Sequence, residues 1–282
     1  MKIISYLTVF AAFILGNLMF PSPVYCQIGE EQPWGVYENW NGSQIRADRW
    51  RGRSDLALEV KREIAKSQLV MRYRVAGSTS SNTGFINGYH RIYAMNASNI
   101  NQIEADIKIK SSTITGCAEN PGSTRIRPAA ISLNKFNDGS STGQEDMTGD
   151  HIVRVLVNRE SVSSDPPGIF TTQAFLFSCT DSDCINGVSI AQALDMGKVR
   201  AGKWFTLRAI WDESNNRFLV RLNNGPDVIL SYDSKLNSGP ANTPFADVRM
   251  QMVAGNCVDG PTEMEAEIIV DQVRTNESAV IP

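Results

Sequence analysis

Alternation of apolar and polar residues recurs along this chain, and a period of two marks a strand with one face buried and one in water. Leu69, Met71, Tyr73 and Val75 share one face of such a strand, against Val70, Arg72 and Arg74. Ile103, Ala105, Ile107 and Ile109 alternate likewise with Glu104, Asp106, Lys108 and Lys110, and Leu56, Leu58 and Val60 with Ala57, Glu59 and Lys61. Further strands are expected near 34–40, 85–94, 126–136, 151–158, 172–178, 204–212, 216–222, 227–232, 246–253 and 263–274, whereas 188–196 is ambiguous and admits a short helical turn. Segments rich in Gly, Ser, Asn, Asp and Pro separate these runs, which makes consecutive strands antiparallel. Asp212–Asn216 and the Asn224-Gly225 dipeptide are expected to close hairpins. About a dozen strands, each with one apolar face, must pack as two sheets or close as a barrel, and the expected fold is all-β.

The N-terminus constrains the compartment. Lys2 precedes an apolar run from Ile3 to Phe20, followed by Pro21 and Pro23, in the pattern of a signal peptide. Val24 and Cys26 suit a cleavage site, so residues 1–26 are expected to leave and Gln27 to begin a single domain over 27–282, with its core at roughly 34–275. Beyond residue 26 no segment reads as a membrane span. Cleavage removes Lys2 as the only charged side chain from a sequence of net charge −3. That mild acidity argues against a nucleic-acid partner, which calls for a basic stripe. The expected location is secreted, periplasmic or cell-surface.

Loss of Cys26 leaves Cys117, Cys179, Cys184 and Cys257, an even number suited to an oxidising compartment. Four cysteines allow three pairings. The short spacing favours a Cys179–Cys184 bridge, leaving Cys117 with Cys257. His90 and His151 are the only histidines and neither lies near a CxxC pair, which argues against zinc.

From Gly202 the chain reads GKWFTLRAIWDESNNRFLVRLNNGPDV, and it closes with EMEAEIIVDQVRTN. Trp204, Trp211, Asp212, Phe218, Val220, Leu222, Asp271 and Val273, with a weaker match at Tyr37–Ser43, resemble the strands of concanavalin A-like lectin/glucanase domains. The resemblance implies a two-sheet antiparallel jelly-roll sandwich, with carbohydrate on the concave face or in the loops at its rim. It does not fix function, since lectins, glycoside hydrolases, polysaccharide lyases and exported domains share that fold.

Retaining glucanases of this superfamily carry Glu-x-Asp-x-Glu or Glu-x-Asp-x-x-Glu on one strand, because alternate carboxylates share a face. Glu104 and Asp106 begin such a motif, but Lys108 and Ile109 occupy both positions for the second Glu. Glu263, Glu265 and Glu267 share a strand face without an intervening Asp and read as a solvated row. His90, among Phe85, Tyr89, Arg91 and Tyr93, falls on the opposite face from Tyr89, Arg91 and Tyr93 by alternation. No cofactor motif is present. Asp138, Glu145, Asp146 and Asp150 in one loop, and Asp181 and Asp183 in another, offer oxygens of the kind calcium takes, without EF-hand spacing.

The sequence therefore favours a non-catalytic exported domain that binds glycans, with a polysaccharide-active enzyme and a structural or adhesive surface protein as alternatives. Alternation turns Arg72, Arg74, Glu104, Asp106, Lys108 and Arg208 away from the core, with Trp50, Tyr89 and Trp204 as rings for a rim. In a concave sheet these residues form a charged trough for an anionic polysaccharide; in a convex sheet they are solvated surface. Intact mass under non-reducing alkylation is expected to show a chain beginning at Gln27 with no alkylated cysteine. A lipid-sized addition at Cys26 would overturn that processing.

Overall fold

The computed structural model describes residues 32–79, 84–120, 124–143 and 145–281. The signal-peptide expectation, with Cys26 and Gln27, lies outside them. The strands are β1 (Trp34–Glu38), β2 (Trp50–Ser54), β3 (Glu59–Ala65), β4 (Gln68–Ala76), β5 (Phe85–Ala94), β6 (Gln102–Ile114), β7 (Arg125–Asn137) and β8 (Asp150–Glu160). They continue with β9 (Ile169–Cys179), β10 (Gly187–Ala193), β11 (Lys198–Arg200), β12 (Trp204–Asp212), β13 (Arg217–Leu222), β14 (Val228–Ser231), β15 (Gly239–Gly255) and β16 (Glu263–Asn276). Two antiparallel sheets form a sandwich of the jelly-roll kind. The first has the order β14-β13-β12-β6-β16-β4-β3, with β1 beside β16, and the second β10-β9-β8-β7-β15-β5-β2, with β11 beside β9.

Alternation places the core between the sheets. Leu69, Met71 and Tyr73 from β4, Ile103, Ile107 and Ile109 from β6, and Ile268 and Val270 from β16 are buried on the first sheet's inner face. They meet Ile131 and Leu133 from β7, Val153 and Val155 from β8, and Val248, Met250 and Met252 from β15. Phe205, Leu207, Phe218 and Val220 complete the inner rows, with Trp211 and Leu222 packed against them half-buried. Phe136 stacks on Trp211, Phe218 and Tyr232, with ring centroids 5.8, 6.1 and 4.5 Å away.

Turn chemistry closes the hairpins. Lys66 and Ser67 both have positive φ, the backbone that a two-residue turn needs between twisted strands. Asn216 and Asn223, also left-handed, sit at the turns on either side of β13. Gly88 lets the Tyr73 hydroxyl pass beneath β5 to donate to Asp55 O at 2.5 Å; a Cβ there would lie 2.2 Å from that hydroxyl. Cys117 is bonded to Cys257, and Cys179 to Cys184.

Two expectations need correction. Residues 187–193 form a strand with no helical turn, because β10 pairs along β9 with a bulge between Ser189 and Ala191. Leu56 and Leu58 precede β3, whose range begins at Glu59, and Leu56, Leu58 and Val60 are exposed. Leu56 adopts positive φ, which breaks the extended run before β3 and takes this apolar row out of the core. Phe218→Ala is expected to cost about 3–5 kcal/mol, since the ring is fully buried among aromatic neighbours. Urea unfolding monitored by tryptophan fluorescence checks this, and a loss below 1 kcal/mol would place Phe218 outside the packed seam.

Candidate functional site

Because each strand gives one face to the core, register decides what each sheet turns outward. On the first sheet, Arg208 lies opposite Glu104, and Thr206 opposite Asp106, in the pairing of β12 with β6. Arg208 Nε donates to Glu104 Oε2 at 2.7 Å, Arg274 bonds Glu104 Oε1, and Arg274 Nη2 donates to Asp106 Oδ2 at 2.7 Å. Thr206 Oγ1 donates to Asp106 Oδ1 at 2.6 Å. All four oxygens of the Glu104/Asp106 pair therefore accept hydrogen bonds. Arg72 pairs with Glu265 and Glu59, Arg74 with Glu263, and Lys110 with Glu267. The glutamate row of β16 thus faces cations on both neighbouring strands.

The charges on this outer face are paired with one another, and Glu104 at its centre is buried between Arg208 and Arg274. Arg72, Arg74, Arg208, Glu104, Asp106 and Lys108 do share it, but Tyr89 and Trp50 belong to the second sheet. Trp50 is not a rim residue: its ring is buried, stacked on Trp40 at 5.5 Å and edge-on to Tyr37 at 5.1 Å, because β2 turns alternate residues into the core. Trp204 remains 43% exposed, with Lys108 Nζ 4.6 Å from its ring, beside a depression of about 260 Å³ that Asp106, Asn223 and Asp271 also line.

The second sheet presents a different outer face. β5 turns out Tyr89, Arg91 and Tyr93, and β15 turns out Phe245, Asp247, Arg249 and Gln251. β7 turns out Arg127 and Ser132, β8 Arg154, and β2 Arg51 and Arg53. Although these side chains point away from the core, Asp247 is 0%, Arg249 5% and Gln251 8% exposed, so the middle of the face is recessed. Bulges in β7 and β15, of the kind that bend a strand, interrupt the pairing beside it. At one end Ile152, Cys179 and Phe245 pack with Met147, Phe177 and Cys184, so the Cys179–Cys184 loop and the Met147 loop cover that end.

Arginines and rings interleave on this face. The Arg91 guanidinium lies 4.9 Å from the Tyr89 ring, 5.4 Å from Tyr93 and 5.4 Å from Phe245. Arg249 lies 5.3 Å from Phe245, and Arg154 5.1 Å from Phe177. Arg249 holds Asp247 through two hydrogen bonds, and Arg91 Nη1 stands 3.6 Å from the same carboxylate. Arg127 and Arg154 each donate to Gln251 Oε1, at 3.0 and 3.3 Å, and neither forms an ion pair among the described residues. Burial, and next the neighbouring Arg249, hold Arg154 well below the ordinary arginine range. Burial, then Arg125, pushes Arg127 down to about 10. Arg91 is also lowered, by burial first and then by Arg249. Crowded, partly desolvated like charges make this face a place where an anion is favoured.

Other sequence candidates are placed apart from it. Asp150 is buried and accepts from Asn134, Asn137 and the Asn242 amide. Asp146 accepts from Thr142 and Thr148, and Asp181 from Ile185 and Asn186. Asp138 accepts from the Ser140 amide, and Asp183 is exposed. Among the described residues, the His, Cys, Asp and Glu ligand atoms that converge closely are those of Cys117, Glu119 and Cys257, and both sulfurs there belong to a disulfide. No three carboxylates of the calcium candidates among the described residues converge in this way.

No family model and no curated protein matches the chain. Among solved structures, the laminarinase of Flavobacterium sp. UMI-01 is 12% identical, with a TM-score of 0.45, over 85% of this chain and 98% of that one. A protein of unknown function with a galectin-like fold from Bacillus subtilis is 12% identical, TM-score 0.43, over 86% and 99%. The alginate lyase of Klebsiella pneumoniae is 11% identical, TM-score 0.43, over 83% and 97%. These likenesses concern fold and carry no argument about activity.

His90 points inward, as alternation requires, with Nδ1 2.6 Å from Ser54 Oγ and Nε2 3.0 Å from Lys61 O. Burial, and then Arg62, pushes its pKa down from 6.5 to about 4. Between those values the unfolded chain binds a proton that the folded chain does not, so stability is present above pH 6.5 and lost as pH falls toward 4. From pH 7 to 4.5 the wild type is expected to lose about 2–3 kcal/mol more than His90→Gln in urea unfolding. Parallel losses would mean that His90 does not drive the acid sensitivity.

Proposed function

We propose that the protein is an exported binding domain for anionic glycans, which it holds along the outer face of its second sheet. The observation that supports this most directly is the recessed set of Arg91, Arg127, Arg154 and Arg249, interleaved with Tyr89, Tyr93, Phe177 and Phe245. Among the described residues, only Arg249 and Arg91 of this set pair with the one carboxylate there, Asp247. Guanidinium forks pair with carboxylate or sulfate groups, while aromatic faces accept the apolar side of a sugar ring. An open face suits a polymer better than a small metabolite, which is ordinarily engulfed in a concave pocket. Two disulfides favour an extracellular or periplasmic setting, where such polymers occur.

The chain's net charge of −3 sets this face against an otherwise acidic molecule, which favours a ligand that engages one strip over a nucleic-acid backbone needing a broad basic surface. The first sheet also presents many charged groups, but Glu104, Asp106 and the β16 glutamates occupy its arginines. Charge count alone does not distinguish the two faces; compensation does.

Isothermal titration with a sulfated glycan, a polyuronate and a neutral glucan is expected to give binding to the anionic polymers alone. Affinity should fall as salt rises, because the screening length shrinks from about 10 Å at 0.1 M to about 3 Å at 1 M. Equal affinity for the neutral glucan, or no binding to either anionic polymer, would reject the reading. Release of unsaturated or reducing ends in the same samples would replace binding with catalysis.

A further inference from the structure

The arginines of the second sheet fall into two electrostatic classes. Asp247, fully buried, bonds Arg249 and stands 3.6 Å from Arg91, so that pair of guanidiniums already has a counter-charge. Arg91 lies against Tyr89, Tyr93 and Phe245, and Arg249 against Phe245, which makes them part of a flat, locked floor. Arg127 and Arg154 are different. They approach from adjacent strands and converge on one neutral oxygen, Gln251 Oε1. Gln251 Nε2 donates to Asn87 Oδ1 at 2.8 Å, which fixes the amide so that its oxygen faces the two arginines. Arg127 Nε is buried without a hydrogen-bond partner, as is Arg91 Nε, whereas Arg154 Nε donates to Ser132 Oγ at 3.3 Å.

Two positive groups thus share one uncharged acceptor. Asp247 acts on Arg154 and Glu160 on Arg127 through space, but among the described residues neither guanidinium forms an ion pair, so a further negative charge would be favoured there. A neutral carbonyl accepts a charge-assisted bond but returns none of the Coulomb energy that a carboxylate would. Register sets the geometry of what lies beside it: Gln251 faces Arg127 across β7 and Tyr89 across β5. An oxyanion held by Arg127 and Arg154 therefore has an aromatic ring two strands away.

We infer that the protein reads its ligand's charge at one subsite, formed by Arg127, Arg154 and Gln251, where a single oxyanion substituent of a sugar binds, while the Arg91–Asp247–Arg249 group serves as a stacking floor for the adjacent ring. This rests on the anionic-glycan reading above and adds which arginines discriminate. The substituent's shared chemistry is a monoanion with several acceptor oxygens, either a sulfate ester or a uronate carboxylate.

Gln251→Glu tests it without removing a side chain. The variant places a carboxylate where the two guanidiniums already point, so its melting temperature is expected to rise by several degrees. Affinity for anionic glycans should fall by about 10–100-fold, the worth of one or two charge-assisted hydrogen bonds. Sodium sulfate is expected to raise the wild-type melting temperature beyond the effect of sodium chloride at matched ionic strength, and to do so less in Gln251→Glu. Arg127→Gln with Arg154→Gln should lose the preference for anionic over neutral glycans, with folding verified by circular dichroism. Arg91→Gln should weaken binding but keep the preference. Titrating a sulfated glycan and a polyuronate in parallel separates the two sources of the oxyanion. If Gln251→Glu binds anionic glycans as well as the wild type, or if Arg91→Gln abolishes the preference, the subsite is wrong although the binding function stands. If the sulfate and melting results hold but no anionic glycan binds, the subsite stands and the glycan function falls.

Discussion

Burial of the apolar rows of β4, β6 and β16 against those of β7, β8 and β15 is the interaction on which everything else depends. Apolar area removed from water drives the two sheets together, and the two-residue period of a strand then fixes every outward side chain without further choice. Met250 and Met252 inside oblige Arg249 and Gln251 to point outside; Val153 and Val155 inside oblige Arg154 to do the same. The candidate site is thus the reverse side of the core. A one-residue slip in β15 would bury Arg249 between the sheets and remove the site and the seam together.

The two outer faces start from similar material and reach different electrostatic ends. On the first sheet, opposite charges meet across strands: Arg72 and Arg74 from β4 meet the glutamates of β16, and Arg208 and Arg274 clasp Glu104 between them. The more exposed pairs, Arg72 and Arg74 with their glutamates, contribute little to stability individually, but all of them together leave little net field. On the second sheet, cross-strand pairing sets Arg249 opposite Arg91, and Arg91 opposite Arg53. Like charges in register are destabilising. The face tolerates them through Asp247, through stacking on Tyr89, Tyr93 and Phe245, and through the Gln251 carbonyl, and these compensations are uneven. Where compensation is thinnest, the proposed anion would gain most.

The fold was legible because its signal is local. Alternation over 69–75 and 103–109 names the inner residues of β4 and β6 directly, and Asn-rich turns around β13 mark its hairpins. The misreadings have local causes too: the left-handed backbone at Leu56 cuts a period that looks continuous in the letters, and β10 owes its extended form to pairing with β9. The site was not legible in the same way. Arg127 and Arg154 come from the consecutive strands β7 and β8, but Gln251 lies 124 and 97 residues further on, and only the order β8-β7-β15 brings it beside them. A trace did exist: Arg154 interrupts the apolar run Ile152–Val157, and Arg249 and Gln251 sit between Val248, Met250 and Met252. Those arginines are as regular as Arg72 and Arg74, so sequence alone gives no reason to prefer one set. Trp50 shows the converse, a ring suitable for a rim that β2 instead delivers to Tyr37 and Trp40.

The cluster that covers one end of the face bears on how rigid the site is. Phe245 packs with Ile152 and Cys179 on one side and lies against both Arg91 and Arg249 on the other, while Phe177, from the same cluster, lies against Arg154. The Cys179–Cys184 bridge closes the loop behind these rings. An arginine side chain free in water loses rotamer entropy when it binds, at a cost of about 0.5–1.5 kcal/mol for each one immobilised. Here the rings and the Gln251 oxygen have already restricted the guanidiniums, so that cost falls on folding rather than on binding. In the binding reading proposed above, the Cys179–Cys184 loop would support the site through Phe177 and Phe245, which pack beside it and lie against Arg154, Arg91 and Arg249.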